Sequence, residues 1–311
     1  MDSQITLMVR SLAAEPPFGA ARIAEVAADI LLRRAEMGEA SSPETFREEM
    51  LQTGLAIIRV QPALAPLVNL VSDVLWYLER TDRPYDQRLA VREATEDFKR
   101  QLRQQAIHVA EGSLAFIEDG SIIVTHSLSS TVQYALLHAQ RAGRRFHVIC
   151  SESRPMLEGR QTAKELAESG IGTTVMVDTL TLDSVYQARA VVVGADMLNS
   201  HGLVNKVGTR ALAMVAQAVH VPFYALCGSA KFLPTTFKPS TDASIHTAEV
   251  WDEPPLGVTV AHWDRDLTPL GLISGIVTER GTLPPTMVEG WLAAMHLHPA
   301  LANVNNYSMS Y

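Results

Sequence analysis

The sequence predicts an α/β protein in which an N-terminal helical domain is followed by a Rossmann-like domain with a mainly parallel sheet. Two observations carry this. Up to about residue 107 the apolar residues recur at the helical spacings of three and four. From about residue 114 they gather instead into short apolar runs separated by helical segments of about ten to fifteen residues. A run that is apolar throughout is buried on both faces, and alternation with helices is how parallel strands are connected. The expected division is residues 1–107, a helical domain with a linking helix, and residues 108–311, a Rossmann-like domain.

Taken in order, "FGAARIAEVAADILLRRAEM" (18–37) has an apolar stripe, alanine filler and Gly38 as a stop. "SSPETFREEMLQTGLAIIRV" (41–60) opens with capping serines and a proline in the first turn. "RLAVREATEDFKRQLRQQAIHVAEGSL" (88–114) reads as a long, polar-faced linking helix. The expected strands are "LAFI", "SIIVTH", "RFHVIC", "TTVMVD", "ARAVVVGA", "PFYALC" and "GVTVAHW". Residues 233–257 lack periodicity and hold four of the 16 prolines, which suits a flap, an interface arm or a plain surface loop.

Composition excludes several classes. A formal charge of −8 without a Lys/Arg run lacks the footprint of direct nucleic-acid binding. No stretch approaches the roughly 18 apolar residues of a membrane span, and the N-terminus carries no secretory pattern, so a cytoplasmic protein is expected. With only Cys150 and Cys227, and histidines that are scattered, neither a disulfide framework nor a metal site is expected. No cofactor is implied.

In a parallel sheet, ligands bind beyond the carboxyl ends of the strands. Four such ends carry polar residues: Thr125 to Ser130 with His126, Ser127, Ser129 and Ser130; Cys150 to Pro155 with Arg154, leading to Glu158; Gly194 to Asp196; and Cys227 to Lys231. Arg154, Lys206 and Lys231, with amides of the turn at Ser127 to Ser130 and of a helix start near Asn205, suit a phosphate. Other roles compete: Arg154 could pair with Glu152, Ser129 or Ser130 could cap a helix, and Asp196 could cap a turn rather than act as general acid or base.

Four blocks, "SESRPMLEGRQTAKEL", "VVVGADMLNSHGLVNKVGT", "VPFYALCGSAKF" and "ISGIVTERGTLPP", resemble those of the alpha, beta and delta subunits of translation initiation factor 2B. Their enzyme relatives, methylthioribose-1-phosphate isomerase and ribose-1,5-bisphosphate isomerase, share the resemblance. It implies a pocket for a phosphorylated sugar or nucleoside monophosphate and a homodimer or higher homo-oligomer through the C-terminal domain. In the isomerases a cysteine and an aspartate interconvert an aldose phosphate and a ketose phosphate. By this resemblance the aspartate is Asp196, the cysteine position holds Ser127, and Asn205, Lys206 and Lys231 fall on ligand-binding positions, with Arg154 beside them.

The departures shape the expectation. A serine hydroxyl is a far weaker acid than a thiol and needs an adjacent base. Two phosphate-holding arginines of the bisphosphate isomerase fall on Phe18 and Gln61. The expected function is therefore an initiation factor 2B-like protein that binds a sugar phosphate or nucleoside monophosphate, regulatory or with altered isomerase activity. The alternatives are an active isomerase of a phosphorylated (methylthio)ribose, with Asp196 as base and Ser127 or Cys150 as surrogate acid, and a subunit that works through protein contacts.

Overall fold

A computed structural model of the chain describes residues 3–14, 19–38, 42–81, 83–237 and 247–302. Five helices come first: α1 (Ser3–Ala14), α2 (Ala20–Met37), α3 (Pro43–Val60), α4 (Ala65–Leu78) and α5 (Pro84–Ser113). The start of α3 is fixed as the sequence implies, because the Ser42 hydroxyl accepts from the Thr45 N–H at 3.2 Å with Pro43 at the first helical position. α4 is apolar nearly all round and sits inside the helical bundle, which is where such a helix belongs. α5, at 30 residues, is roughly 45 Å long. It packs on α2 and α4 and also on α6 (Ser130–Arg141) and β9 (Gly275–Thr278), so the boundary expected near residue 107 lies inside this helix.

The remaining strands of the main sheet are β1 (Ile122–Thr125), β2 (His147–Ser151), β3 (Gly172–Met176), β4 (Ala190–Val193), β7 (Phe223–Leu226) and β10 (Gly281–Leu283). Their order is β10-β9-β7-β4-β1-β2-β3, parallel except for the β10–β9 hairpin. Helices α7 (Glu158–Glu168), α8 (Asp178–Ser184), α9 (Thr209–Ala218) and α10 (Val288–Ala293) complete this region. The period of two is visible in the burial. Ile123, Val148, Ala190 and Val192 join one apolar cluster with α5 and α6, while Val124, Ile149, Val191 and Val193 join another with α9. The sheet is thus covered on both faces, as its all-apolar strands require.

A second, antiparallel sheet has the order β5-β6-β8, from β5 (Met197–Asn199), β6 (Gly202–Lys206) and β8 (Arg265–Thr268). Its Met197 and Val204 belong to the core of the helical region, so the hairpin after β4 ties the two regions together.

Three sequence expectations are corrected. "LAFI" is no strand: the Leu114 N–H still bonds the Glu111 carbonyl, and the run is the last turn after α5, with Phe116 and Ile117 buried against the sheet. "GVTVAHW" is apolar by residue type but exposed except at Val260, which is half-buried, and His262, so too little burial stabilises a strand there. The helix expected to start near Asn205 begins at Thr209, because Asn205 and Lys206 are spent on ladder pairs with Asp266 and Arg265. Of the aperiodic stretch 233–257, residues 238–246 lie outside the described residues. Among the described residues no helix is long and apolar enough to cross a membrane.

Candidate functional site

Strands β1, β2 and β3 run to one side of the sheet, and β4, β7 and β9 to the other. The order therefore reverses between β1 and β4, and the crevice beyond their carboxyl ends is where an open α/β sheet takes ligands. The loop after β1 carries His126 to Ser130 and the loop after β4 carries Gly194 to Asp196. These loops touch: a Cβ on Gly194 would lie 2.2 Å from the Ser129 hydroxyl oxygen, so only glycine fits there. Ser129 caps α6, accepting from the Val132 N–H at 3.4 Å. Ser127, 5% exposed, holds a left-handed backbone with φ of 61°, a conformation uncommon for any residue with a Cβ.

On the β2 side the polar groups are paired with one another. Ser127 Oγ donates to Glu158 Oε2 at 3.4 Å, and Lys206 Nζ donates to Glu158 Oε1 at 2.9 Å. Lys206 also lies 3.7 Å from Asp264 Oδ1, which is 2.9 Å from His262 Nε2. Burial alone would raise the Asp264 carboxyl, but Lys206, His262 and Arg265 outweigh it and hold it below its ordinary range. His126 Nε2 lies 2.7 Å from the Val207 carbonyl, which can only accept, so that nitrogen carries a proton. Burial lowers the His126 pKa, and in the neutral ring Nδ1 must accept from the Ser151 hydroxyl. Ser153 Oγ, 3.2 Å from Ser151 Oγ, then supplies the next donor in a one-directional chain. His126 therefore fastens the β1 loop to the Lys206–Gly208 segment and is fully engaged in doing so. Gly208, at φ of 104°, passes so close to that ring that a Cβ would be 3.0 Å away.

On the β7 side the picture differs. Lys231, 6% exposed, donates from Nζ to Thr131 Oγ1 at 3.2 Å. Burial lowers its pKa, and the Asp196 carboxylate is among the groups that oppose the shift. A cavity of about 230 Å³ opens here, lined by Lys231, Gly228, Ser130, Thr131 and Arg22, among others. It lies at the N-terminal end of α6, where free amides and the helix dipole favour an anion.

Asp196 stands between the two sides. Its Oδ2 accepts from Arg265 Nε at 2.7 Å, and its backbone carbonyl accepts from the Ala65 N–H at the start of α4. It does not cap a turn. Asn205 is buried and donates to Thr209 Oγ1 at 3.0 Å. Arg154 is exposed and reaches the Glu249 carbonyl at 3.4 Å, outside this cluster, while Glu152 pairs with Arg160 at 2.7 Å rather than with Arg154. The start of α9 is taken up by the Asp266 carboxylate, which accepts from the N–H groups of Gly208 at 2.8 Å and Arg210 at 3.0 Å. The Cys150 thiol is buried and pushed up to about 12, so it supplies no surrogate acid. Gln61 donates to the Leu12 carbonyl, and Phe18 lies outside the described residues.

The residues that sequence reasoning missed are Arg265, Asp264, His262, Thr131 and Asp266; Glu158 was noticed only as the end of a loop. Asp196 and Arg265 are 69 positions apart, and no local spacing announces that pair. The alternation "DRD" at 264–266 was the one available signal, since alternate side chains of a strand face opposite ways.

Comparison with known proteins agrees with this fold. A family model described as the Initiation factor 2 subunit family matches residues 17–285. A protein of Archaeoglobus fulgidus named ribose 1,5-bisphosphate isomerase is 33% identical over 275 residues, covering 86% of each chain. Among solved structures, the Pyrococcus horikoshii OT3 translation initiation factor eIF-2B is similar with a TM-score of 0.81 and 28% identity, over 92% of this chain and 98% of its own. The 5-methylthioribose 1-phosphate isomerase of the same organism shares the fold, with a TM-score of 0.74 at 20% identity, over 93% of this chain and 86% of its own.

Proposed function

The chain belongs to the initiation factor 2 subunit family, and from that premise we propose that it is an aldose–ketose isomerase of a phosphorylated pentose. The observation that carries this reading is the place of Asp196. A carboxylate at the point where strand order reverses is held by Arg265 and lies within electrostatic reach of Lys231. A phosphate at Lys231 and the start of α6 would present the sugar to it.

The chemistry asked of Asp196 is modest. It takes the proton from the hydroxyl-bearing carbon beside the carbonyl and returns it to the former carbonyl carbon, while the hydroxyl proton of the first carbon passes to the carbonyl oxygen in the same direction. Nothing is oxidised or reduced overall. Arg265 fixes the carboxylate, Ser127 offers a hydrogen bond to a sugar oxygen, and Asn205 holds the turn into α9 through Thr209. The similarity to a protein named as an isomerase of a phosphorylated ribose, along most of both chains, supports the same reading.

The test is to incubate the purified protein with ribose 1-phosphate, ribose 5-phosphate, methylthioribose 1-phosphate and ribose 1,5-bisphosphate and to follow the sugar by NMR. Appearance of a ketose that is lost in Asp196→Asn supports the reading; unchanged sugars oppose it. A second reading, ligand binding without turnover, is favoured by Ser127, whose one carboxylate contact among the described residues is a long one, and by the unreactive Cys150. Binding without conversion selects it. Val175, Val177, Leu180 and Tyr186 are exposed along the outer strand β3 and the segment after it. That apolar strip supports self-association, and sedimentation of a lone monomer would oppose it.

A further inference from the structure

We infer that the crevice accepts one phosphate and not two, and that Glu158 sets this limit by occupying Lys206, so that the ligand is a pentose monophosphate whose other end carries neutral hydroxyls. This rests on the sugar-phosphate reading above and narrows it.

Three observations lead there. Lys231 has, among the described residues, no carboxylate within ion-pair distance; its Nζ meets a hydroxyl, and the start of α6 lies beside it. That end leaves a lysine open to an anion, while Arg22 on the same cavity is held by Glu25 at 3.1 Å. Lys206 is the opposite case: Glu158 at 2.9 Å and Asp264 at 3.7 Å already surround it. The pair is not a screened surface contact, since the Lys206 and Glu158 side chains are only 12% and 15% exposed. Third, the helix start that follows Lys206 in the chain, that of α9, holds the Asp266 carboxylate on the amides of Gly208 and Arg210. The cation and the amides that would receive a second phosphate are thus both filled by carboxylates of the chain itself.

A phosphate entering there would have to displace Glu158 from Lys206 and would then face Glu158, Asp264 and Asp266 together. Like charges brought close in a partly buried site repel strongly. A hydroxyl meets no such barrier: it can donate to Glu158 Oε2, which today accepts only a 3.4 Å bond from Ser127. Glu158 therefore discriminates by repulsion against one end group as much as by attraction for the other.

The experiment is calorimetric titration of the full chain with ribose 5-phosphate, ribose 1-phosphate and ribose 1,5-bisphosphate. One of the monophosphates is expected to bind at least about tenfold more tightly than the bisphosphate. Glu158→Gln keeps the size of the side chain and removes its charge, and is expected to cut the preference for the monophosphate over the bisphosphate about tenfold, by tightening the bisphosphate and weakening the monophosphate whose hydroxyl loses its carboxylate acceptor. Asp264→Asn should move the same ratio in the same direction, and it carries the test if Glu158→Gln does not fold. Wild-type protein that binds the bisphosphate as tightly as the monophosphates overturns the inference, as does a ratio that neither variant shifts. Absence of heat with all three sugars overturns the sugar-phosphate reading itself, a result distinct from tight bisphosphate binding.

Discussion

Lys231 and Lys206 are the same residue type in one crevice, and their surroundings make them different chemical objects. Lys231 is buried with a hydroxyl for company, and burial depresses its pKa. Lys206 is nearly as buried but is clamped by two carboxylates. What separates an anion site from a structural ion pair here is where the carboxylates stand; counting lysines does not reveal it.

The contrast can be broken most sharply at Asp196, which faces both sides. Asp196→Asn is expected to lower isomerase turnover by about a thousandfold with little change in sugar-phosphate affinity, as measured by NMR rates beside calorimetry. Next, Lys231→Met should weaken phosphate-ligand binding by roughly tenfold to a hundredfold, the range for loss of a charge-assisted hydrogen bond. Lys206→Met should show itself elsewhere. It leaves Glu158 and Asp264 without their cation and should lower unfolding free energy by about 2 kcal/mol in a urea titration, with a smaller loss of affinity than Lys231→Met. If the two lysine variants exchange these effects, the contrast is wrong.

The smallest effect concerns pH. Burial places the folded-state pKa of His126 below its unfolded value of about 6.5. The stability that this shift contributes is complete above about pH 6.5 and is lost as pH falls towards the lower folded-state value, because the unfolded chain binds the proton more readily. Denaturation between about pH 7 and 5 should show wild type losing more stability than His126→Gln, whose amide can still donate to the Val207 carbonyl.

Much of the fold was legible because it is written locally. The cap at Ser42, the α2 stripe and the apolar strands β1, β2, β4 and β7 are each decided within about ten residues. What could not be read was the second sheet. β6 is buried along four of its five residues yet forms a hairpin with β5, and β8 pairs with it from 59 residues further on. That misreading cost the site its partners, since Arg265 and Asp264 belong to this later segment. The "GVTVAHW" error has the same root: residue type suggested burial, and only the three-dimensional arrangement decides burial. Asp196, Ser127 and Lys231 drew notice because strand ends gather polar residues, and Lys206 because a helix was expected to start beside it; the roles of Asp196 and Ser127 came from the resemblance. Arg154 was not separable from them by sequence, since its loop ends at the same edge while its side chain turns towards Glu249.

The hydrogen bond from the Ala65 amide to the Asp196 carbonyl joins residues 131 positions apart. The peptide that bears the Asp196 carboxylate is therefore anchored only while the first turn of α4 is docked against it, and protection of the Ala65 amide from hydrogen exchange reports how often that end of the crevice opens.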